Sequence, residues 1–241
     1  MIHLKKDIHC LSFLERRKMI RVFIGYDDNE KVAFSVLSHS LLKHSTQPIA
    51  ITPIRLQNIK DVFVRERLPI QSTEFAFSRF LVPYLCNYSG HAIFMDCDML
   101  SRSDISALWR QRTTKYAVQC VQHDYTPTST VKFLNQPQTP YPKKNWSSMM
   151  IFNNAKCTAL TPDYVNSATG LELHQFKWLE NEDLIGKVDE EWNWLVGEYE
   201  KSPNAKLVHF TEGGPYFKDY ENCDYANEWH NTYKETTRIG M

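Results

Sequence analysis

The sequence predicts an α/β fold, a single domain with a mostly parallel central sheet flanked by helices. Three observations carry that prediction. Short β-rich apolar runs alternate with stretches of helical period, the pattern of a parallel sheet covered on both faces. The apolar run "HAIFM" stops abruptly at two aspartates, Asp96 and Asp98. The chain has 241 residues, of which 42% are hydrophobic, enough for one proper core.

"IRVFIGYDD" (20–28) opens the domain as a strand that Gly25 breaks, and 30–44 follows with apolar Val32, Ala33, Val36, Leu37 and Leu41 at helical spacing. "IAITPI" is a second strand. "STEFAFSRFLVPYLCNYSG" starts with a capping Ser-Thr, ends at Gly90 and reads as a helix kinked near Pro83. The strand ending at Asp96 comes next, then a helix capped by Ser103 or Asp104 and running through Trp109, then the strand "YAVQCV". Between His123 and Trp146 lie Pro127, Pro137, Pro140 and Pro142 with little periodicity, a segment expected to act as a binding loop or lid. "SSMMIFNN" is strand-like. In "TPDYVNSATG", Thr161 is the expected N-cap, Pro162 the first helical residue and Gly170 the C-cap. "LVHFTEGGPYF" is a strand and turn, and "YANEWHNTY" the final helix.

Composition excludes several functions. Lys plus Arg and Asp plus Glu both number 28, so the net charge is +0 and no global field favours nucleic acid or an anionic membrane. Apolar runs fall short of the ~20 residues that span a bilayer. The six cysteines are scattered, with no C-x-x-C pair, which points to a reduced, cytoplasmic setting. Residues 1–18 carry mixed charge and weak periodicity before Met19, and are expected to be an extension that the domain, residues 19–241, folds without.

Successive strand side chains point to opposite faces, so Asp96 and Asp98 share one face while Cys97 turns to the other. In open α/β sheets ligands bind outside the carboxyl ends of the strands, where Asp27 also lies. Two carboxylates on one face suit a hard divalent cation, whose shell phosphate oxygens and water complete, and a nucleotide diphosphate is then a natural partner. The alternative is structural, with Asp98 capping the next turn and Asp96 pairing with a nearby cation.

The run "STEFAFSRFLVPYLCNYSGHAIFMDCDMLSRSDISALW" resembles the central segment of family-8 glycosyltransferases and their relatives. Around it, "VFIGYDD", Arg79, "MDCDML", "SSMMIFNN", "WNWLVG" and "VHFTEGGPYF" follow in the family's order. The resemblance implies a GT-A, Rossmann-like fold and transfer of a sugar from a nucleotide-diphosphate donor, with retention of configuration. The acceptor would be a glycan, a lipid-linked or a small molecule. It further implies that Asp96 and Asp98 hold Mn²⁺ or Mg²⁺ with the donor diphosphate, that His209 is an additional metal ligand, that Gly25, Tyr26 and Asp27 meet the base or ribose, and that Arg79 reaches the donor sugar or diphosphate.

Departures from the family pattern leave choices open. Where the family has a lysine after the metal histidine, this chain has Gly213 and Gly214, either a backbone phosphate cradle or an ordinary turn. Ser148 stands for the family glycine in the acceptor strand. The nearest acids to the family's acidic-Gln-acidic motif are Glu180, Glu182 and Asp183, which a solvated helix face explains as well. His123 and Asp124, after the fourth strand, either orient sugar hydroxyls or leave His123 to satisfy buried backbone. Trp146, Trp192 and Trp194 are sugar-stacking candidates or core. Two other readings stand beside transfer: a haloacid-dehalogenase-type phosphatase with Asp96 as nucleophile, and a non-catalytic nucleotide-sugar-binding protein.

Overall fold

The first strand, β1 (Ile20–Gly25), is nearly all buried apolar side chain on both faces, so it belongs inside a sheet rather than at its surface. The computed structural model describes residues 19–66, 71, 73–127 and 141–238. The extension 1–18, and residues 128–140 of the proline-bearing segment expected to be a lid, lie outside the described residues.

β1 lies between two parallel neighbours, β2 (Ile49–Ile54) and β3 (His91–Met95). Beyond β3 come β6 (Met149–Asn153), β5 (Val118–Val121) and β7 (Ile185–Val188), giving the order β2-β1-β3-β6-β5-β7. β6 runs antiparallel to both β3 and β5, while β5 and β7 are parallel. The mostly parallel sheet thus contains one reversed strand. Ala92 to Met95 are fully buried.

Helix α1 (Lys31–His44) buries Ala33, Val36, Leu37, Ser40 and Leu41, the face its sequence spacing predicts, and packs on β4 (Met99–Ser101). β4 starts a second, three-stranded sheet, in which it pairs antiparallel with β9 (Leu207–His209) and β9 pairs parallel with β8 (Trp194–Leu195). A small core of Val36, Leu100, Val208, Phe210, Tyr225 and Trp229 ties this sheet to α1 and to the last helix, which runs from Ala226 to Thr237.

Two helix expectations are corrected. The segment before β3 is a series of turns, then a 3-10 turn at Ser78–Leu81 and one helical turn, α2 (Val82–Leu85). Pro83 fits only at a helix start, because it has no N–H to continue a ladder. Phe75, Phe77, Phe80, Leu81 and Val82 are also all buried, which a one-faced helix would not allow. Asp104 caps α3 (Ile105–Arg110) through the Ser106 amide, and Thr161 caps α4 (Pro162–Ser167) through the Tyr164 amide, as predicted. Gly170, however, is not a C-cap. It begins α5 (Gly170–His174), because Thr169 and Glu172 form a capping box that restarts the helix. The final helix is α6.

Candidate active site

Asp96 and Asp98 straddle the point where the chain leaves the large sheet for the small one. The Asp96 amide donates to the Ser148 carbonyl at 2.9 Å, extending the β3–β6 ladder by one residue, and the Asp98 carbonyl accepts from the Phe210 amide at 2.9 Å. The β4–β9 register pairs Met99 with His209, which brings the imidazole beside Asp98, with Nε2 3.4 Å from Oδ1. Ligand atoms of Asp96, Asp98 and His209 all lie within 4.8 Å of one another.

The tautomer of His209 follows from its neighbours. Asn193, fully buried, donates through Nδ2 to Ser148 Oγ at 2.8 Å and to the Asn145 carbonyl at 3.3 Å, which leaves its Oδ1 as an acceptor. His209 Nδ1 lies 3.1 Å from that oxygen and donates to it. Nε2 is then the nitrogen turned toward Asp98. Two carboxylates and one imidazole fit a divalent first-row cation, and anchoring the remote nitrogen is the usual support for such a ligand.

Arg79 is 5% exposed and is held through two of its three nitrogens: Nη1 is 2.7 Å from Asp96 Oδ1 and donates to the Ser147 carbonyl at 2.9 Å, while Nε donates to the carbonyls of Phe75 and Ala76. The structure therefore places it on the first aspartate of the pair. A cavity of about 100 Å³ opens here, and Arg79, Asp96, Asp98 and His209 share its lining with Ser147 and His174. Ser147 Oγ and His174 Nδ1 are hydrogen-bonded at 2.6 Å. Burial and the nearby Arg79 guanidinium push the His174 imidazole down to about 3, so it is neutral at physiological pH.

The other predicted residues are placed differently. Asp27 is 1% exposed and turned inward, accepting backbone amides of Asn29 and Glu74 at 2.9 Å each. Tyr26 lies under Arg55 and against Phe34. A Cβ on Gly25 would stand 2.3 Å from the Phe75 ring, so β1 ends in glycine to admit that ring. Gly213 and Gly214 are buried against Tyr220 and Tyr216. His123 is buried with Nδ1 2.8 Å from the Tyr199 hydroxyl, and burial with nearby His209 lowers it to about 3. Asp124 is exposed. Glu182 and Asp183 are exposed on a separate surface groove with Trp146, and Glu182 pairs with Lys143 at 2.5 Å.

Sequence reasoning missed Glu30, Asn193, Ser147 and His174. Glu30 is fully buried at the start of α1, and its Oε1 accepts the Tyr216 hydroxyl. Burial, then the negative charge of Asp98, hold its carboxyl well above the usual range. A signal existed, since glutamate is an unusual residue at an N-cap position. Asn193 was visible as the polar residue between two tryptophans in "EEWNWLVG".

No protein-family model matches the chain. Over 239 residues it is 45% identical to Protein CDI of Arabidopsis thaliana, covering 95% of this chain and 92% of that protein. Among solved structures, the galactosyltransferase LgtC in complex with donor and acceptor sugar analogues superposes with a TM-score of 0.57 at 10% identity, over 92% of this chain and 98% of that one. The apo bifunctional glycosyltransferase WbbM gives a TM-score of 0.57 at 14% identity over 91% of this chain, which spans 50% of that protein. At such identities the likeness is one of fold, and the fold is GT-A.

Proposed function

We propose, for a chain that belongs to the family of Protein CDI and carries the GT-A fold of glycosyltransferases, that it moves a sugar from a nucleotide-diphosphate sugar to an acceptor around a divalent cation held by Asp96, Asp98 and His209. The observation that carries this reading is the convergence of those three side chains within 4.8 Å at the carboxyl end of β3, the edge where open α/β sheets bind ligands.

When bound, a divalent cation there supplies charge that offsets the diphosphate and the negative charge growing on it as it leaves. The protein's part is orientation. Arg79 fixes Asp96, Asn193 fixes the His209 ring, and the imidazole favours Mn²⁺ over Mg²⁺ because nitrogen is a softer donor than oxygen. Transfer with retention is what the family-8 resemblance supports, and a glycan, lipid-linked or small-molecule acceptor completes the reaction. The phosphatase reading rests on the Asp-x-Asp alone and has no support in a GT-A fold. A cytoplasmic setting is supported by the described cysteines, all free, and no described helix is long and apolar enough to cross a membrane.

The test is calorimetry of UDP and GDP with Mn²⁺ and with chelator, followed by a nucleotide-sugar panel read for free nucleoside diphosphate. Binding of one diphosphate that needs Mn²⁺, and slow release of that diphosphate from one donor, are expected. Equal affinity with and without chelator overturns the cation-centred reading.

A further inference from the structure

The cavity lining also holds a polar couple, Ser147 and His174, outside the three candidate cation ligands. Ser147 is 3% exposed, its Oγ lies 2.6 Å from His174 Nδ1, and its carbonyl accepts from Arg79 at 2.9 Å. The His174 ring is bracketed by Phe80 at 5.4 Å, Phe77 at 6.0 Å and Tyr141 at 6.4 Å. Among the described residues its Nε2 has no hydrogen-bond partner.

We propose that Ser147 and His174 read a ring hydroxyl of the donor sugar, and that the sugar they accept is neutral rather than a uronate. This rests on the nucleotide-sugar reading and narrows it to a substrate class. A hydroxyl both donates and accepts, and so does a Ser–imidazole couple, whereas a carboxylate only accepts. Among the described lining residues Arg79 is the one permanent cation, and it is already paired with Asp96 through Nη1, which also donates to a backbone carbonyl, while Nε donates to two more. The imidazole beside it stays neutral at physiological pH. A sugar carboxylate at this couple would leave water for a neutral Ser–imidazole pair beside a guanidinium whose charge Asp96 already balances. The couple is not an activated nucleophile, because such a serine needs a histidine oriented from its second ring nitrogen, and among the described residues that nitrogen has no orienting group.

Calorimetry with Mn²⁺ tests this on the full chain, using UDP, GDP, UDP-glucose, UDP-galactose, UDP-glucuronate and GDP-mannose as probes. The expected result is a neutral sugar nucleotide that binds at least about tenfold tighter than the glucuronate. Ser147→Ala and His174→Leu should each lose roughly tenfold toward that sugar nucleotide and leave its parent diphosphate unaffected. Ser147→Ala, a small truncation, preserves the test if His174→Leu fails to fold. Glucuronate binding as tight as the neutral sugars overturns the substrate class. Equal losses for the sugar nucleotide and the bare diphosphate make the couple structural and overturn the reader. Binding of neither diphosphate removes the nucleotide-sugar reading, and this assignment with it.

Discussion

The two sheets do different work, and the motif between them belongs half to each. The large sheet is an apolar frame, with Ala92 to Met95 and Met149 to Phe152 essentially without exposure. The small sheet has strands of only two and three residues, yet it delivers His209 and, through Asn193, the orientation of its ring. Asp96 ends the frame and is tied by Arg79, while Asp98 starts the small sheet and faces His209. Stability and chemistry are thus separated by one residue, Cys97, and mutations should fall on one side or the other.

The sharpest way to break the contrast is in the frame. Phe152→Ala in β6 should cost about 3–5 kcal/mol, the usual cavity and transfer loss for a buried aromatic, seen as a lower denaturation midpoint with Mn²⁺ affinity of the folded protein preserved. A large affinity loss in protein that is still folded would show that the two regions are coupled. In the small sheet the order reverses. His209→Ala should lower Mn²⁺ affinity on the order of a hundredfold or more, and Asp98→Asn more severely, while thermal stability changes little. Unchanged metal binding by His209→Ala would make His209 a core histidine.

Asn193→Ala should weaken Mn²⁺ by roughly ten- to a hundredfold, since it frees the ring without removing the ligand; an effect equal to that of His209→Ala would mean that the ring no longer folds into place. The effect of pH is spread over several units, so within any one unit it is the smallest. The imidazole of His174 titrates near 3 when folded and near an ordinary ~6.5 when unfolded. Between those values the unfolded chain holds a proton that the folded one refuses. This contribution is therefore complete above about pH 6.5 and declines by about 1.4 kcal/mol per pH unit as pH falls toward about 3. Urea midpoints across that range should fall less steeply for His174→Asn than for the native chain. Parallel curves would place the acid sensitivity elsewhere.

What could be read from the sequence is what depends on local period. β1, β3, α1, the caps of α3 and α4 and the Asp-x-Asp at a strand end follow from alternation, helical spacing and capping residues. The failures share another cause. Residues 71–90 carry a capping Ser-Thr with Glu and a closing glycine, but burial of so many side chains and Pro83 override those end signals. β7, "IGKV", is too short and carries a glycine, so its pattern does not announce a strand. Glu30 acquires its meaning from Tyr216, Asn193 from Ser148 and His209, and Ser147 from His174, all partners remote in sequence. Glu182 and Asp183 were the nearest acids to the family's acidic-Gln-acidic motif and lie on a separate groove, while His174, which no motif announces, lines the cavity.

The reversed direction of β6 gives the architecture room to diversify. Because β5 and β6 are antiparallel neighbours, paired at Cys120 and Met150, the stretch 122–148 leaves and re-enters the sheet at adjacent points, about one strand spacing apart. Its described return limb, 141–148, contributes Asn145, Ser147 and Ser148 to the cavity lining. Lengthening such an excursion is cheap, since doubling a flexible loop costs only about 0.6 kcal/mol. Insertions and whole-segment exchanges can accumulate there with both anchor points unmoved. The cavity lining can therefore change in one contiguous cassette of the chain while the frame of the sheet stays intact.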